Sequence, residues 1–381
     1  MIPLYEQMEV SVFERMSLAA ARHGATNLGQ GFPDFGWPDR ILEAAARHVV
    51  ESSNQYPPSR GLPALREAVA AHYADAHGLA ALTPEHVTVT SGATEALFAF
   101  ILATIAPGDE VIIFAPAFDA YVPMIRRAGG VPVEARLEGP DFRLTADAIE
   151  PAVTRRTRLI LFNNPHNPTG RLFDRTELEA LASVAIRHDL LVLSDEVWEH
   201  VLLDGQSFTP LAAIDGMAQR TLKCGSAGKI FSLTGWKVGW MVAPPELAAV
   251  AAKAHQFITF ATPPNLQAAV AEGLANPDWL APMRTGFARA RDRIMEGLAD
   301  AGYAAIRPEA TYFMVVDLAA SGIADDDEAF ARRAVEQHGV AVVPMSPFYE
   351  ADPPTNLIRL CFAKRDETID AGIAGLRAAR G

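Results

Sequence analysis

The stretch Thr221-Leu-Lys-Cys-Gly-Ser-Ala-Gly-Lys229 joins an apolar run to four small residues and a lysine. Small residues directly after a strand allow a long side chain to point into a cleft instead of out to water. Burial lowers the pKa of an amine, because the charged form is desolvated, and Schiff-base chemistry with a carbonyl cofactor requires the uncharged amine. Lys229 is therefore a candidate covalent nucleophile, although a lysine is more often a solvated surface group.

Short apolar runs alternate with Gly/Pro punctuation and longer helical stretches over the region that contains this lysine. The runs are Val87–Thr90, Glu110–Phe114, Arg158–Phe162, Leu190–Leu193 and Thr221–Cys224. Continuous apolar runs are typical of parallel strands that connecting helices cover on both faces. The region predicts a doubly wound α/β sheet whose ligands lie beyond the carboxyl ends of the strands.

Asp195 follows the run Leu190–Leu193, which places its carboxylate at a strand end. An unpaired carboxylate close to the sheet is costly. One interpretation pairs it with a protonated pyridine nitrogen, which keeps a cofactor ring an electron sink. The alternative is a helix N-cap in front of Glu196-Val197-Trp198.

The segment Asn163-Asn-Pro-His-Asn-Pro-Thr-Gly170 is rich in turn residues and predicts a fixed loop after a strand. Rigid loops at strand ends often present a side chain to a ligand. Asn167 is positioned to hydrogen-bond the phenolic oxygen of a cofactor ring. The alternative is a turn that precedes an N-capped helix.

The segment Ser91-Gly-Ala-Thr94 joins a strand to a helix predicted over Glu95–Ile105. Free N–H groups and the positive end of the helix dipole bind phosphate readily. A helix cap formed by Ser or Thr explains the same residues without a ligand. Ser226 and Lys237, on either side of Lys229, add a hydroxyl and a cation that favour the phosphate interpretation.

Arg359 lies inside the apolar run Asn356-Leu-Ile-Arg-Leu-Cys-Phe362. A guanidinium buried there needs an anionic partner, and a substrate carboxylate held by two hydrogen bonds is suitable. The alternatives are a structural ion pair and an edge-strand arginine that faces water.

The pattern changes after Pro277 to a long helix near Ala281–Ala301 and then to a smaller α+β arrangement. Its predicted elements are runs at Tyr312–Asp317, Val340–Val343 and Leu357–Phe362, a helix around Glu328–Gln337 and a final helix. We predict an N-terminal arm at residues 1–35 that is part of the small domain, a large domain at residues 36–275, and a small domain at residues 276–381. The turn-rich arm is expected to lie across a cleft or a partner.

Composition narrows the class of protein. The 381 residues carry a net charge of −13 and have no basic block interleaved with aromatics, so nucleic acid is not an expected partner. Two distant cysteines, Cys224 and Cys361, suggest neither a disulfide framework nor a metal site, and they favour a cytoplasmic location. The sequence shows no signal peptide and no apolar run long enough to span a bilayer, so no membrane anchor is expected.

Taken together, these motifs resemble the aspartate-aminotransferase superfamily, which is fold type I, class I/II, of the pyridoxal-phosphate enzymes. The likeness covers nearly the whole chain. Within the superfamily it is strongest to the branch of kynurenine aminotransferase, glutamine transaminase K and methionine aminotransferase. It rests on Asn27-Leu-Gly-Gln-Gly-Phe-Pro-Asp34, Asn54-Gln-Tyr56, Gly225-Ser-Ala-Gly-Lys229 and Gly235-Trp-Lys-Val-Gly-Trp240.

The resemblance implies a mostly parallel seven-stranded sheet between helices, a smaller α+β domain, and pyridoxal 5'-phosphate bound to Lys229 as a Schiff base. It also implies that Phe118 stacks on the cofactor ring and that Ala93 and Thr94 offer backbone N–H groups to the phosphate. Ser226 and Lys237 would bind the same phosphate. Asn167 and Asp195 would contact the cofactor ring itself.

The resemblance further implies a homodimer with shared active sites, in which Tyr56 reaches the phosphate of the neighbouring subunit. Gly31, Asn167 and Arg359 would hold the substrate carboxylate. Phe13 matches an aromatic position of the substrate pocket, and Tyr121 and Phe260 are candidates to line the same space, although plain core packing explains each equally.

One position departs from the family pattern. Many relatives have a tyrosine three residues after the ring aspartate, and its hydroxyl donates to the phenolic oxygen. This chain has Trp198 there. Its indole N–H is a candidate substitute, and losing the donor would move the pKa of the internal imine.

The implied reaction is a ping-pong transamination between an amino acid and a 2-oxo acid, with Lys229 as general base and acid. A rival at the same site is β-elimination from cysteine S-conjugates, which releases pyruvate. A rival of another class is a regulatory module that binds the cofactor without catalysis, but the chain starts too close to the motifs to include a helix-turn-helix domain. Because one arginine is assigned to the α-carboxylate and none to a side chain, we predict neutral substrates over aspartate.

Overall fold

We describe a computed structural model that covers residues 3–79 and 81–380. Its helices are α1 (Pro3–Gln7), α2 (Val12–His23), α3 (Asp39–Glu51), α4 (Pro63–His77), α5 (Gly92–Thr104), α6 (Tyr121–Arg127), α7 (Ala146–Ile149), α8 (Arg175–Arg187), α9 (Ala227–Ile230), α10 (Pro245–Ile258), α11 (Pro264–Leu274), α12 (Ala281–Asp300), α13 (Asp327–His338) and α14 (Asp366–Arg380).

The strands are β1 (Thr26–Asn27), β2 (Val87–Ser91), β3 (Glu110–Ala115), β4 (Val131–Arg136), β5 (Thr157–Asn163), β6 (Leu191–Asp195), β7 (Thr221–Ser226), β8 (Val238–Val242), β9 (Ala304–Ile306), β10 (Phe313–Asp317), β11 (Val340–Ala341), β12 (Val343–Pro344) and β13 (Leu357–Cys361).

A seven-stranded sheet in the order β2-β8-β7-β6-β5-β3-β4 forms the centre of the large domain. Strands β7, β6, β5, β3 and β4 are parallel, whereas β8 runs antiparallel to both of its neighbours. Residues of β3 and β5 are almost entirely buried, which agrees with their continuous apolar sequence. The predicted α/β class with a mostly parallel sheet is confirmed.

A second, antiparallel sheet in the order β12-β13-β10-β9 forms the core of the smaller domain. Its strand β13, which contains Arg359, is flanked on both sides. The predicted run Val340–Val343 is divided into β11 and β12, because β11 pairs with the arm strand β1 instead of joining the antiparallel sheet. The domain boundaries at residues 35 and 275 stay a prediction.

Backbone pairing joins the arm to the carboxyl-terminal part of the chain. Strand β1 runs parallel to β11, with Thr26 opposite Val340. Beyond it, Leu28 accepts a hydrogen bond from the backbone of Cys361 at 2.6 Å. This places the turn-rich segment at residues 29–31 beside the end of β13, close to Arg359.

Among the described residues, no helix is long and apolar enough to cross a bilayer. Both Cys224 and Cys361 are free and buried.

Candidate active site

A cavity of about 290 Å³ lies where the carboxyl ends of the sheet strands meet the arm and the smaller domain. It is the place that the strand-end rule predicts for a ligand. Of the residues predicted to form the site, those that line it are Phe13, Gly31, Ala93, Thr94, Phe118, Tyr121, Asn167, Asp195, Trp198, Ser226, Lys229, Lys237 and Arg359.

Lys229 lies in the short helix α9, directly after β7, and its side chain extends into the cavity. Its Nζ lies 4.4 Å from the centre of the Trp198 ring and donates to the hydroxyl of Tyr312 at 3.1 Å. Burial lowers the pKa of Lys229 to about 8, and the more distant charge of Asp195 only partly opposes that effect. The uncharged share of the amine near neutral pH is therefore about a tenth, far larger than for an ordinary lysine.

Asp195 ends β6 and is 5% exposed. Its Oδ2 accepts a hydrogen bond from the hydroxyl of Tyr121 at 2.7 Å, and its Oδ1 lies 3.4 Å from the backbone nitrogen of Val197. Burial raises the pKa of Asp195, and the Tyr121 hydroxyl opposes that rise. A turn, and no helix, follows at residues 197–200, so the N-cap interpretation is wrong.

The first turn of α5 faces the cavity with Ala93 and Thr94. Ser91 makes no capping hydrogen bond through its side chain, so the cap interpretation of this segment is also wrong. A Cβ at Gly239 would lie 2.6 Å from the nitrogen of Ala93, which shows how closely β8 approaches this helix end. Only glycine permits that approach.

Lys237 adds a positive charge to the same helix end. A Cβ at Gly92 would lie 3.1 Å from its Nζ. Lys237 adopts a left-handed backbone with φ 53 and ψ 40, which is uncommon for a residue with a side chain. Together with Ser226 at the end of β7, these groups form a cradle suited to a phosphate.

Arg359 is 1% exposed, and its guanidinium is held from several sides. One terminal nitrogen donates to Asn167 Oδ1 at 3.0 Å and the other to the carbonyl of Gly29 at 3.1 Å. The guanidinium lies 3.9 Å from the centre of the Phe313 ring and 4.6 Å from that of Phe13.

No carboxylate of the described residues contacts this guanidinium. No ion pair of Arg359 occurs within residues 3–79 and 81–380, and its Nε is buried without a hydrogen-bond partner. Burial lowers the pKa of Arg359 to about 10, so the group keeps its charge near neutral pH. A buried, charged and incompletely satisfied guanidinium is suited to bind an anion. The edge-strand and ion-pair alternatives do not describe this residue.

Two predicted residues do not line the cavity of their own chain. Tyr56 is 87% exposed and Phe260 is 39% exposed, and their rings contact each other at 5.7 Å. Phe260 follows the end of α10 and does not line the cavity of its own chain, so its place beside a substrate stays a prediction. Tyr121 does line the cavity, but its hydroxyl is directed at Asp195.

Comparison with known proteins agrees with this arrangement. The model of the family described as aminotransferase class I and II matches residues 24–376. The chain belongs to the aminotransferase class I and II family.

Several relatives of this aminotransferase match it over nearly their full length. The structure of N-succinyldiaminopimelate aminotransferase from Mycobacterium tuberculosis matches with a TM-score of 0.95 at 41% identity and covers 100% of both chains. Methionine aminotransferase of Escherichia coli is 39% identical over 97% of this chain and 96% of that protein. Human kynurenine--oxoglutarate transaminase 1 is 35% identical over 92% of both.

Members of this family use pyridoxal 5'-phosphate, and the residues of the cavity fit that cofactor. Lys229 offers an amine with a lowered pKa to its aldehyde. Asp195 has no cationic contact within the described chain and would gain one from a protonated ring nitrogen. The helix end at Ala93, together with Lys237, matches the phosphate.

Three histidines lie together away from this cavity, although the sequence suggested no metal site. The candidate ligand atoms of His72, His77 and His200 all lie within 4.8 Å of one another. Arg284 donates to His200 Nδ1 at 2.9 Å, which leaves the ring proton on Nε2, 2.8 Å from His72 Nε2. Burial lowers the pKa of His72 to about 4 and that of His200 to about 3. The rings of His72 and His200 therefore form a hydrogen-bonded chain of neutral imidazoles.

Sequence reasoning missed two parts of the site. Tyr312 lies at the beginning of a predicted strand, 83 positions after Lys229. Its hydroxyl accepts a hydrogen bond from Nζ of that lysine. Gly29 contributes a backbone carbonyl to Arg359, and a carbonyl contact leaves no signal in residue type. The only available signal for Tyr312 was its polar hydroxyl beside an apolar run.

Proposed function

We propose that this aminotransferase transfers the amino group of a neutral L-amino acid, of methionine, glutamine or aromatic type, to a 2-oxo acid. The proposal depends on one observation: the guanidinium of Arg359 is buried and has no carboxylate partner in the described chain. Its free Nε is positioned for one oxygen of an α-carboxylate. Asn167, which accepts from Arg359, holds the guanidinium in place.

The preference for a neutral side chain follows from the charges of the cavity. Among its described lining residues, the positively charged ones are Lys229, Lys237 and Arg359. Lys229 is assigned to the cofactor aldehyde, Lys237 to its phosphate and Arg359 to the α-carboxylate. No lining cation is then left for a second carboxylate, such as that of aspartate or of an N-succinyl group.

Aromatic rings form the walls beside Arg359. Phe13 and Phe118 both line the cavity and lie 6.4 Å apart, measured between ring centres. These rings offer apolar surface to a methyl-thioether, an amide stem or an aromatic side chain. The similarity to methionine aminotransferase and to kynurenine transaminase supports the same assignment.

The roles of the chain's own groups follow from their positions. Arg359 orients the substrate. Bound pyridoxal 5'-phosphate supplies the electron sink that makes the α-proton acidic. Lys229 accepts that proton as an uncharged amine and later returns it from the ammonium form.

A panel of amino donors with 2-oxo acid acceptors tests the proposal, with cofactor absorbance as the readout and a pyruvate assay alongside. The panel contains methionine, glutamine, phenylalanine, kynurenine, aspartate and N-succinyl-diaminopimelate. We expect kcat/KM for at least one neutral donor to exceed that for both acidic donors. A preference for aspartate or for the succinylated donor would contradict the neutral assignment, and pyruvate release from cysteine S-conjugates would indicate β-elimination.

Two arginine variants assign the carboxylate. Arg359→Lys keeps the charge but loses the planar pair of donors, so KM for the preferred donor should rise at least about tenfold. Arg291→Lys is the matched control, since Arg291 is 1% exposed and pairs with Asp204 at 2.6 Å away from the cavity. An unchanged KM in Arg359→Lys would contradict the assigned role.

We also propose a homodimer with shared active sites, in which Tyr56 serves the neighbouring subunit. Tyr56, Phe257 and Val50 are each more than four-fifths exposed, at 87%, 86% and 83%. Large exposed apolar side chains of this kind often mark an interface.

Free, buried Cys224 and Cys361 support a reducing, cytoplasmic location.

Hybrid dimers test the shared site. Lys229→Ala and Tyr56→Ala proteins are each expected to have low activity, but dimers re-formed from a mixture contain one site with both residues intact. Mixing should therefore restore activity. Two low-activity variants that stay low after verified subunit exchange would contradict the shared site.

A further inference from the structure

The hydrogen bond between Lys229 and Tyr312 involves a residue to which no role has been assigned above. We propose that Tyr312 is a positioning residue that holds the released amine of Lys229 and fixes the direction of its lone pair for proton transfer. The inference rests on the proposed transamination and deepens it by adding a residue that acts on the base.

The directions of the hydrogen bonds are determined by the partners of the Tyr312 hydroxyl. Its single proton is donated to the carbonyl of Gly31 at 2.9 Å, because a carbonyl can only accept. The phenolic oxygen is left as an acceptor towards Lys229 Nζ at 3.1 Å. Lys229 must therefore donate one of its N–H bonds to Tyr312.

This donated N–H restricts the amine. Within the described chain, Tyr312 is the hydrogen-bond partner found for Nζ. The face of Trp198 lies 4.4 Å away on a second side and forms no strong hydrogen bond with a neutral amine. With one N–H directed at Tyr312, the lone pair of the uncharged amine is confined to the two remaining tetrahedral positions of Nζ, neither of which faces Tyr312.

Tyr312 itself has little freedom to move. It is 1% exposed, and its ring packs perpendicular to Trp198 at 4.5 Å and against Phe313 at 5.0 Å between ring centres. A fixed acceptor can hold the amine in one orientation through both halves of the reaction. Such orientation accounts for a large share of the efficiency of general acid–base groups.

The proton balance of the step is simple. The α-proton leaves the substrate carbon while its bonding electrons stay on the substrate, and the lone pair of Lys229 takes the proton. The ammonium keeps its N–H bond to Tyr312, so the transferred proton lies at one of the remaining positions of Nζ and can be returned. Tyr312 is neither protonated nor deprotonated.

Tyr312 also connects the base to the arm. The accepting carbonyl belongs to Gly31, where a Cβ would lie 2.7 Å from the Phe313 ring. Only glycine allows the arm to come close enough to accept this hydrogen bond. The arm segment expected to contact the substrate carboxylate therefore also holds the hydroxyl that orients Lys229.

Tyr312→Phe tests the proposal, and Tyr303→Phe is the matched control. Tyr303 is also buried and donates to a backbone carbonyl, that of Leu376 at 2.7 Å, but it lies in the small-domain core. The first measurement is the pH dependence of imine formation when pyridoxal 5'-phosphate is added to cofactor-free protein, followed by absorbance.

In Tyr312→Phe, the midpoint of that pH dependence should fall by about one unit, because the lost acceptor had favoured the charged amine. Turnover should fall about tenfold with KM nearly unchanged, and the kinetic isotope effect with α-deuterated donor should increase. Tyr303→Phe should match the wild-type protein in all three readouts. If Tyr312→Phe does not fold, Tyr312→Met is measured instead, with the same expectations.

Wild-type values of midpoint, turnover and isotope effect in the Tyr312 variant would overturn the inference. That result differs from a failure of the proposed function, in which borohydride trapping would label a lysine other than Lys229, or the wild-type protein would not transaminate any donor. Trapping at Lys229 together with an unaffected Tyr312 variant would reject only the positioning role.

Discussion

Lys223 and Lys229 lie on the same short stretch of chain, yet their surroundings give them opposite properties. Lys223 is 1% exposed, and its Nζ contacts Glu196 at 2.5 Å and Glu199 at 2.6 Å. Lys229 is partly buried at the wall of the cavity without any carboxylate in contact, and its hydrogen-bond partner is the neutral hydroxyl of Tyr312.

The pKa values follow this difference. Burial alone would lower the pKa of Lys223, but the charges of Glu196 and Glu199 outweigh burial and raise it. Burial lowers the pKa of Lys229 to about 8, and the more distant Cys361 and Asp195 only partly oppose that lowering. Burial therefore does not by itself make a lysine reactive; burial without an adjacent carboxylate does.

The largest expected effect separates the two lysines by function. Lys229→Ala should reduce transamination by about 10⁴-fold or more, because it removes both the cofactor bond and the proton acceptor. Steady-state kinetics with the preferred donor measures the loss. Lys253→Ala, at an exposed lysine of α10, is the control and should retain wild-type rates; comparable rates in Lys229→Ala would contradict the assignment.

The next largest expected effect is on stability, and it concerns Lys223. Lys223→Met leaves Glu196 and Glu199 buried beside each other without a cation, which should cost about 3–5 kcal/mol of unfolding free energy. Urea denaturation measures the cost. The triple variant with Glu196→Gln and Glu199→Gln should lose less, since it removes the uncompensated charges as well. An equal loss in both variants would show that charge pairing is not the cause.

The pH dependence of stability should also distinguish them in the cofactor-free protein. With its pKa lowered to about 8, Lys229 binds fewer protons folded than unfolded between pH 8 and the ordinary lysine value near 10.5. Wild-type stability should therefore rise through that window relative to Lys229→Met, by up to about 3 kcal/mol.

The pKa shift of Lys223 has the opposite sign to that of Lys229. Because its pKa is raised in the folded protein, its stabilising contribution is fully present below pH 10.5 and declines only as pH rises towards the folded value. Denaturation series from pH 7 to 10.5 with both single variants measure the contrast. Parallel curves for wild type and Lys229→Met would show that the amine is not desolvated.

The smallest expected effect tests whether the group formed by Lys223, Glu196 and Glu199 is independent of the Lys229 site. Tyr73 donates to Glu199 Oε1 at 2.8 Å and accepts from the indole of Trp240 at 2.7 Å. Tyr73→Phe should cost about 1–2 kcal/mol of unfolding free energy. It should leave the pH midpoint of cofactor capture by Lys229 unchanged, and a shifted midpoint would show that the two lysine sites are coupled.

Strand-end reasoning located most of the cavity, because the end of a buried strand fixes where the next residue points. Asp195 and Ser226 follow from that rule alone. Arg359 was recognisable as a charge within an apolar run, but not the carbonyl of Gly29 that holds it. Contacts to backbone atoms and between distant segments depend on tertiary packing, which periodicity does not encode.

The features that the sequence did not show have the same origin. Phe260 lies on the surface beside Tyr56, outside the cavity of its own chain. Tyr312 stood in a predicted strand, and nothing in its neighbours indicated that its hydroxyl would meet Lys229. The fold class needed only composition and periodicity, whereas these two residues required the packing of the arm and the smaller domain.

Lys237 illustrates a conflict between local backbone preference and ligand binding. Its left-handed backbone, with φ 53, disfavours any residue with a side chain by about 1 kcal/mol or more relative to glycine. A glycine at this position would relax the turn and at the same time remove the ammonium from the start of α5. Attempts to make this enzyme more heat-resistant by replacing residues in strained turns should therefore leave this turn unchanged, since the relaxed protein would lose the cation of the proposed phosphate cradle.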